Sequence, residues 1–264
     1  MTTSFDIVGA PKITLSLVPD STNAQVVVRL LDILPNGQSA LITYGVLNLT
    51  HIHSHEYPNA LLPGHQIDFE ITLDQIAYRI PTGHKLRIAL SNAYWPTIWP
   101  SPTQTSLKLL AGTLQLPVRK TSDETADEIQ FEAPEGAGAA HWQPHEQRPS
   151  SYHRQTTTDS ASGVITTAVT CDFGENKDTE HGLISGEKMQ ERWSIHPKDP
   201  LSARVITNWE QTGGRESAMW KTEIKSSMHC DETTFYFEAE LTASLNGNLF
   251  FSKSFEDKVQ RDLV

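Results

Sequence analysis

Between Lys12 and Val18 the chain alternates, with Ile13, Leu15 and Leu17 set against Lys12, Thr14 and Ser16. A period of two sends each set to its own face of a strand. The rhythm returns after the Pro63-Gly64 turn, where Ile67, Phe69, Ile71 and Leu73 interleave with Asp68, Glu70 and Thr72. It returns again after Pro81-Thr82-Gly83, where Leu86, Ile88 and Leu90 interleave with Arg87 and Ala89. A longer apolar run, Ala24 to Ile33, leads into Asn36-Gly37, a dipeptide suited to the positive φ angles of a hairpin turn. Leu41 to Leu49 is the expected return strand. Short strands at this spacing predict a two-layer β-sandwich of jelly-roll type over residues 1–120.

Residues 121–162 break the rhythm. They are rich in Glu, Pro, Gly, Ser and Thr with few aliphatics, among them Ile129, and read as a polar linker or crossing arm. Within it Trp142 reads as a surface or partner contact, and His141, His145 and His153 as solvated. Strand patterning resumes over 163–264, in Val164 to Cys171, Arg192 to Ile195, Ala203 to Trp209 and Ala218 to Met228. Trp193, Trp209 and Trp220 fall in these patterns and read as core. Thr233 to Leu245 then turns at Asn246-Gly247 into Leu249 to Phe255, a strong hairpin signal. So little of this half stands alone as a core that its strands are expected to complete or extend the same β-domain. There is no internal repeat and no pattern for a helix longer than a turn or two.

Composition narrows the function. The 264 residues suffice for one good core or two modest ones, and 38% hydrophobic residues suit a globular chain. A net charge of −11 leaves nothing to neutralise phosphates over a continuous face, which argues against nucleic-acid binding. No apolar run approaches the roughly 18 residues of a membrane helix. The first residues, MTTSFDIVGAPK, lack the basic start and apolar core of a signal peptide. Two cysteines, Cys171 and Cys230, make neither a disulfide framework nor a zinc spacing. A cytoplasmic home without membrane contact is expected, and no cofactor is implied.

Candidate chemistry is sparse. A serine hydrolase of the α/β type needs a G-x-S-x-G nucleophile elbow, and no such pentad occurs. Gly37-Gln38-Ser39 continues into Ala40 and Leu41, and in Gly182-Leu183-Ile184-Ser185-Gly186 the serine comes one place late. No catalytic residue is therefore assigned. His51, His53 and His55 would share one face of an extended strand and could offer a zinc or nickel site. A strand fraying into the polar loop Ser54 to Pro58 is the stronger account of them, and no metal is assigned. Tyr94, Trp95 and Trp99 lie in SNAYWPTIWPSP, Ser91 to Pro102, with three prolines. Such rings could stack on a sugar, the hallmark of a free-standing carbohydrate-binding module, or plug a sandwich edge or a domain interface. Asp199-Pro200 is a candidate turn in which Asp bonds its own backbone.

Four blocks together resemble one family. They are Val26 to His51, Pro63 to Pro102, Leu114 to Lys120, and His196 to Val205 with the segment Phe250 to Val264. They are similar to the C-terminal, non-catalytic part of serine hydrolases of the cocaine esterase and X-Pro dipeptidyl-peptidase superfamily, closer to the CocE/NonD branch. The resemblance implies an all-β fold, a galactose-binding-domain-like jelly roll with additional C-terminal strands. It also implies an α/β-hydrolase catalytic domain as partner, in cis or as a separate chain, and homo-oligomers are possible on this basis. In such enzymes the catalytic Ser, Asp and His precede this region, so none is carried over. Phe5 to Gly9 resembles the family's second strand, so the chain is expected to be a shortened gene product, the result of a misplaced start codon, or an excised piece.

Overall fold

A computed structural model describes residues 1–119, 131–136, 138 and 143–264. Among them every long element is a strand, and the chain divides into two compact units, Met1–Pro134 with Asp262–Val264 and Glu135–Arg261. The patterning favoured one composite domain instead. Of the segment read as a linker or arm, residues 144–148 and 151–158 are strands, while Ile129, His141 and Trp142 lie outside the described residues.

In unit 1, β1 (Phe5–Gly9) precedes β2 (Lys12–Pro19), β3 (Gln25–Ile33) and β4 (Ser39–Asn48). A short 3-10 turn, Leu49–His51, follows, capped by the Asn48 side chain. Then come β5 (Ile67–Thr72), β6 (Ile76–Ile80), β7 (Lys85–Ser91) and β8 (Leu107–Gln115). Three antiparallel sheets result, in the orders β5-β2-β8, β4-β3-β7 and β1-β6. The alternation explains the core: Ile13, Leu15 and Leu17 of β2 join Phe69 and Ile71 of β5 against Val26, Val28 and Leu30 of β3 in one buried cluster. Thr14 and Glu70 face out as expected. Two sheets meeting through one apolar layer make the β-sandwich. At its far side Leu263 closes the unit, its carbonyl accepting from Asn48 Nδ2 at 2.7 Å and Thr50 Oγ1 at 3.0 Å.

Unit 2 is one eight-stranded antiparallel sheet. Its strands are β9 (Pro144–Arg148), β10 (Ser151–Thr158), β11 (Ile165–Asp178) and β12 (Ile184–His196). They continue as β13 (Asp199–Arg215), β14 (Ala218–Cys230), β15 (Thr234–Leu245) and β16 (Asn248–Gln260). From β10 to β16 each strand pairs with the next, and β9 pairs beside β10 along the second half of β11. The change of partner falls at a bulge between Asp172 and Gly174, where Arg148 Nε lies 2.9 Å from Asp172 Oδ2. Burial opposes charge on Asp172, but the Gly174 N–H and the Arg148 guanidinium outweigh it and hold the carboxyl below its usual range. The turn between β12 and β13 falls at Pro197-Lys198 rather than at Asp199-Pro200, which open β13, and the Asp199 side chain accepts from Leu201 N at 3.0 Å. Asn246 and Gly247 both take positive φ, 49° and 79°, closing the predicted hairpin.

Cross-strand register sorts the sheet into two faces. One face carries the rows Cys171–Met189–Trp209–Ile224–Leu241 and Trp193–Val205–Met228–Phe237. The other carries Gln190–Asn208–Lys225–Glu240 and Ser194–Arg204–His229–Tyr236. At Gly213 a Cβ would come within 2.4 Å of the Trp220 ring on the next strand, so only glycine lets that indole lie across the sheet. The tryptophans read as core are only partly so: Trp193 and Trp209 are half-buried, and Trp220 is 43% exposed. Among the described residues the unit is a single layer, with no second sheet to cover them.

Two outcomes are expected. Leu15→Ala lowers unfolding free energy by about 3 kcal/mol in chemical denaturation, whereas Thr14→Ala changes it by less than about 0.5. Asp231, between β14 and β15, accepts from Tyr236 OH at 2.7 Å and from Thr233 N and Thr234 N at 2.8 Å. The tyrosine hydroxyl first, then these amides, lower its pKa from 3.8 to about 2. Its stabilising effect is therefore complete above 3.8 and is lost as pH falls through 2. Carboxyl NMR titration shows the low midpoint, and Tyr236→Phe raises it.

Candidate functional site

The crossover from Ser91 to Pro102 leaves β7 and is fastened to unit 1 from several sides. Tyr94 stacks over the Arg29 guanidinium, 5.1 Å from ring centre to Cζ, and meets Tyr44 edge-on at 5.8 Å. Arg29 of β3 and Tyr44 of β4 are cross-strand partners, so Tyr94 caps that hairpin. A cation held against a ring face gives such a cap orientation as well as area. Trp95 and Trp99 pack edge to face with centroids 5.3 Å apart. Gln25 Nε2 donates to the Trp99 carbonyl at 3.3 Å, and Asn92 Nδ2 donates to the Thr105 carbonyl. The structure thus brings Tyr94, Trp95 and Trp99 into one segment, each half-buried. Beside it, a cleft of about 280 Å³ is lined by Leu17, Val26, Leu90, Ser91, Asn92 and Leu107.

The three histidines do not converge. The expected return strand ends at Asn48, and the 3-10 turn rotates His51 out of the alternation that would have aligned all three. His51 and His55 rings lie 5.6 Å apart, His53 is exposed, and no group of three metal-ligating side chains occurs among the described residues. Ser39 begins β4 and Ser185 lies within β12, so neither stands at a strand-to-helix turn.

One polar cluster escaped the sequence reading. Asp32, 1% exposed, sits in β3 inside the apolar run. It accepts from His84 Nδ1 at 2.9 Å and from Tyr78 OH at 3.0 Å. The sole signal was a carboxylate in a run of aliphatics, since a buried charge requires partners. His84 and Tyr78 lie 52 and 46 residues onward, beyond any local pattern. The cluster has the acid and imidazole of a hydrolytic relay without a serine in its hydrogen-bonding set. Its work is to tie β3, β6 and the start of β7 together. Burial first, then the Asp32 carboxylate, raises the Tyr78 pKa above 10.0. Full stabilisation by that phenol holds below 10.0 and declines as pH rises through the raised value. Asp32→Asn should bring the tyrosinate midpoint down toward 10.0 in ultraviolet titration and cost about 1–3 kcal/mol of stability.

Residues 1–158, well over half of the chain, match the family described as X-Pro dipeptidyl-peptidase C-terminal non-catalytic domain. Two solved structures share part of the chain path. An alpha-amino acid ester hydrolase labeled with selenomethionine is 17% identical, with a TM-score of 0.43, over 45% of this chain and 24% of that one. An aminopeptidase from the marine sediment archaeon Thaumarchaeota archaeon is 12% identical, with a TM-score of 0.43, over 46% and 24%. This chain thus spans about a quarter of either one, and at such values neither likeness carries weight below. No match was found among curated proteins. No helix among the described residues is long and apolar enough to cross a membrane.

Proposed function

Since the chain belongs to the family of X-Pro dipeptidyl-peptidase C-terminal non-catalytic domains, we propose that it is the accessory β-sandwich of a CocE/NonD-type serine hydrolase. The parent activity in this reading is hydrolysis of esters, or of amides and X-Pro peptides. The chain packs against an α/β-hydrolase domain, in cis or as a separate cytoplasmic chain. There it shapes the substrate entrance or joins two copies. One observation carries the proposal: the family match covers residues 1–158 of a chain whose sequence has no nucleophile elbow. The apolar face of unit 2 supports it, because Trp220, Leu245, Phe251 and Phe255 are each more than two-fifths exposed. Such a surface suits a partner better than water. The rival reading, a carbohydrate-binding module, needs open ring faces at Tyr94, Trp95 and Trp99. Their half-buried packing leaves less ring surface for a sugar.

Purified chain is expected to hydrolyse no p-nitrophenyl ester and to take up no fluorophosphonate. A tagged form should retain, from extracts of its own cell, a hydrolase that fluorophosphonate does label. Labelling of the chain itself, or retention of no labelled protein, would count against the proposal.

A further inference from the structure

β16 ends the sheet of unit 2, and all 13 of its residues are exposed. Its edge is long and carries five apolar side chains, Leu249, Phe250, Phe251, Phe255 and Val259, each more than two-fifths exposed. The opposite edge, β10, reads SYHRQTTT and is polar throughout its length apart from Tyr152. Exposed, regular, apolar edges recruit another strand, because their outer N–H and C=O groups have no ladder to join. Polar β10 is poorly suited to that role and β16 well suited.

The apolar rows of the sheet end at β16 in two charges. Cys171–Met189–Trp209–Ile224–Leu241 terminates in Lys253, and Trp193–Val205–Met228–Phe237 terminates in Asp257. Lys253 lies over the Phe255 ring at 4.6 Å. Neither Lys253 nor Asp257 forms an ion pair among the described residues. Opposite charges four residues apart on one face of an edge strand are complementary to their own two-fold copy.

We propose that two copies of this chain pair antiparallel through β16, with the two-fold axis passing through Phe255. This deepens the joining of two copies in the accessory-domain reading. Directly opposite residues in an antiparallel pair share a face, so a symmetric pairing must be centred on a residue. Centring on Lys253 or Glu256 sets like charges against each other. Centring on Ser254 sets Lys253 against the partner's Phe255 and Phe251 against the partner's Asp257. Centring on Phe255 sets Lys253 against the partner's Asp257, Phe251 against the partner's Val259, and Phe255 against itself. Each apolar row that ends in a cation then meets one that ends in an anion, and on the same face Phe251 with Val259 and Phe255 with its own copy supply apolar contact across the seam. On the other face Ser254 meets the partner's Glu256 and Ser252 the partner's Lys258, without a like-charge contact. The bulge at Ala243/Ser244 displaces the strand just before Phe251, which bounds the paired stretch. A two-fold closes the assembly at two copies, whereas β16 on the partner's β10 would propagate as a fibre.

Sedimentation equilibrium of the full chain is expected to show a dimer. K253D and D257K each place like charges opposite one another twice, and each should raise the dimer dissociation constant about tenfold or more. The double variant K253D/D257K restores the pairing and should recover to within about threefold of the original. As a check that does not depend on the swaps, F255C should crosslink to itself under mild oxidation, because its two copies face each other on the axis. S252C, opposite the partner's Lys258, should not. A monomeric wild-type chain would overturn the proposal. So would a dimer that K253D leaves unchanged and that F255C crosslinks no better than S252C. Retention of a fluorophosphonate-labelled hydrolase is read separately, so a monomer would remove this interface and leave the accessory-domain reading standing.

Discussion

Alternation of side chains along a strand is the constraint on which unit 2 depends, because nothing else separates its two faces. A slip of one residue in β12 would bring Arg192 or Ser194, in place of Trp193, to the face that holds Val205, Met228 and Phe237. Register is therefore fixed at the ends of strands rather than by a core. Asn246-Gly247 fixes β15 against β16, the Pro197-Lys198 turn fixes β12 against β13, and Asp231 fixes β14 against β15. The bulge at Asp172 sets where β11 exchanges β10 for β9. Unit 1 has a second safeguard, since a slip in β2 would expel Ile13, Leu15 and Leu17 from a layer sealed by another sheet.

That difference decides what could be read in advance. Strands with one face in a sealed core alternate cleanly, and β2 and β5 were legible residue by residue. The hairpin between β15 and β16 was legible from its turn alone. β10 was not, because a polar edge strand has no hydrophobic period and only its threonines hint at extension. In β12 just the last turn of pattern, Arg192 to Ile195, was visible. Its earlier part, SGEKMQE, has a lone Met facing the apolar side. β8 places Leu109 and Leu110 side by side, both exposed, which defeats a period of two.

The site was legible in its chemistry and obscure in its geometry. Aromatic rings with prolines announced Tyr94, Trp95 and Trp99. That Tyr94 would sit over Arg29 depends on a contact across more than sixty positions of chain. The three histidines show the opposite failure, since their spacing was right for one face and a three-residue 3-10 turn altered the period. Asp32 was hidden by its surroundings: an acid among aliphatics is explained only once Tyr78 and His84 are in place.

The two units also differ in how far apart in sequence their partners lie. In unit 2 almost every ladder joins consecutive strands through a short turn, so the sheet can grow one hairpin at a time. Unit 1 must bring β8 back to β2, and it is complete only when Leu263 reaches Asn48 and Thr50, across 215 and 213 positions. Topologies rich in distant contacts assemble slowly, because loop entropy is spent before the contact forms. The local sheet is thus the quicker of the two to form, and its β16 edge stands ready while the sandwich is still closing. The order of assembly within each unit, as well as its end state, is thus written into the topology.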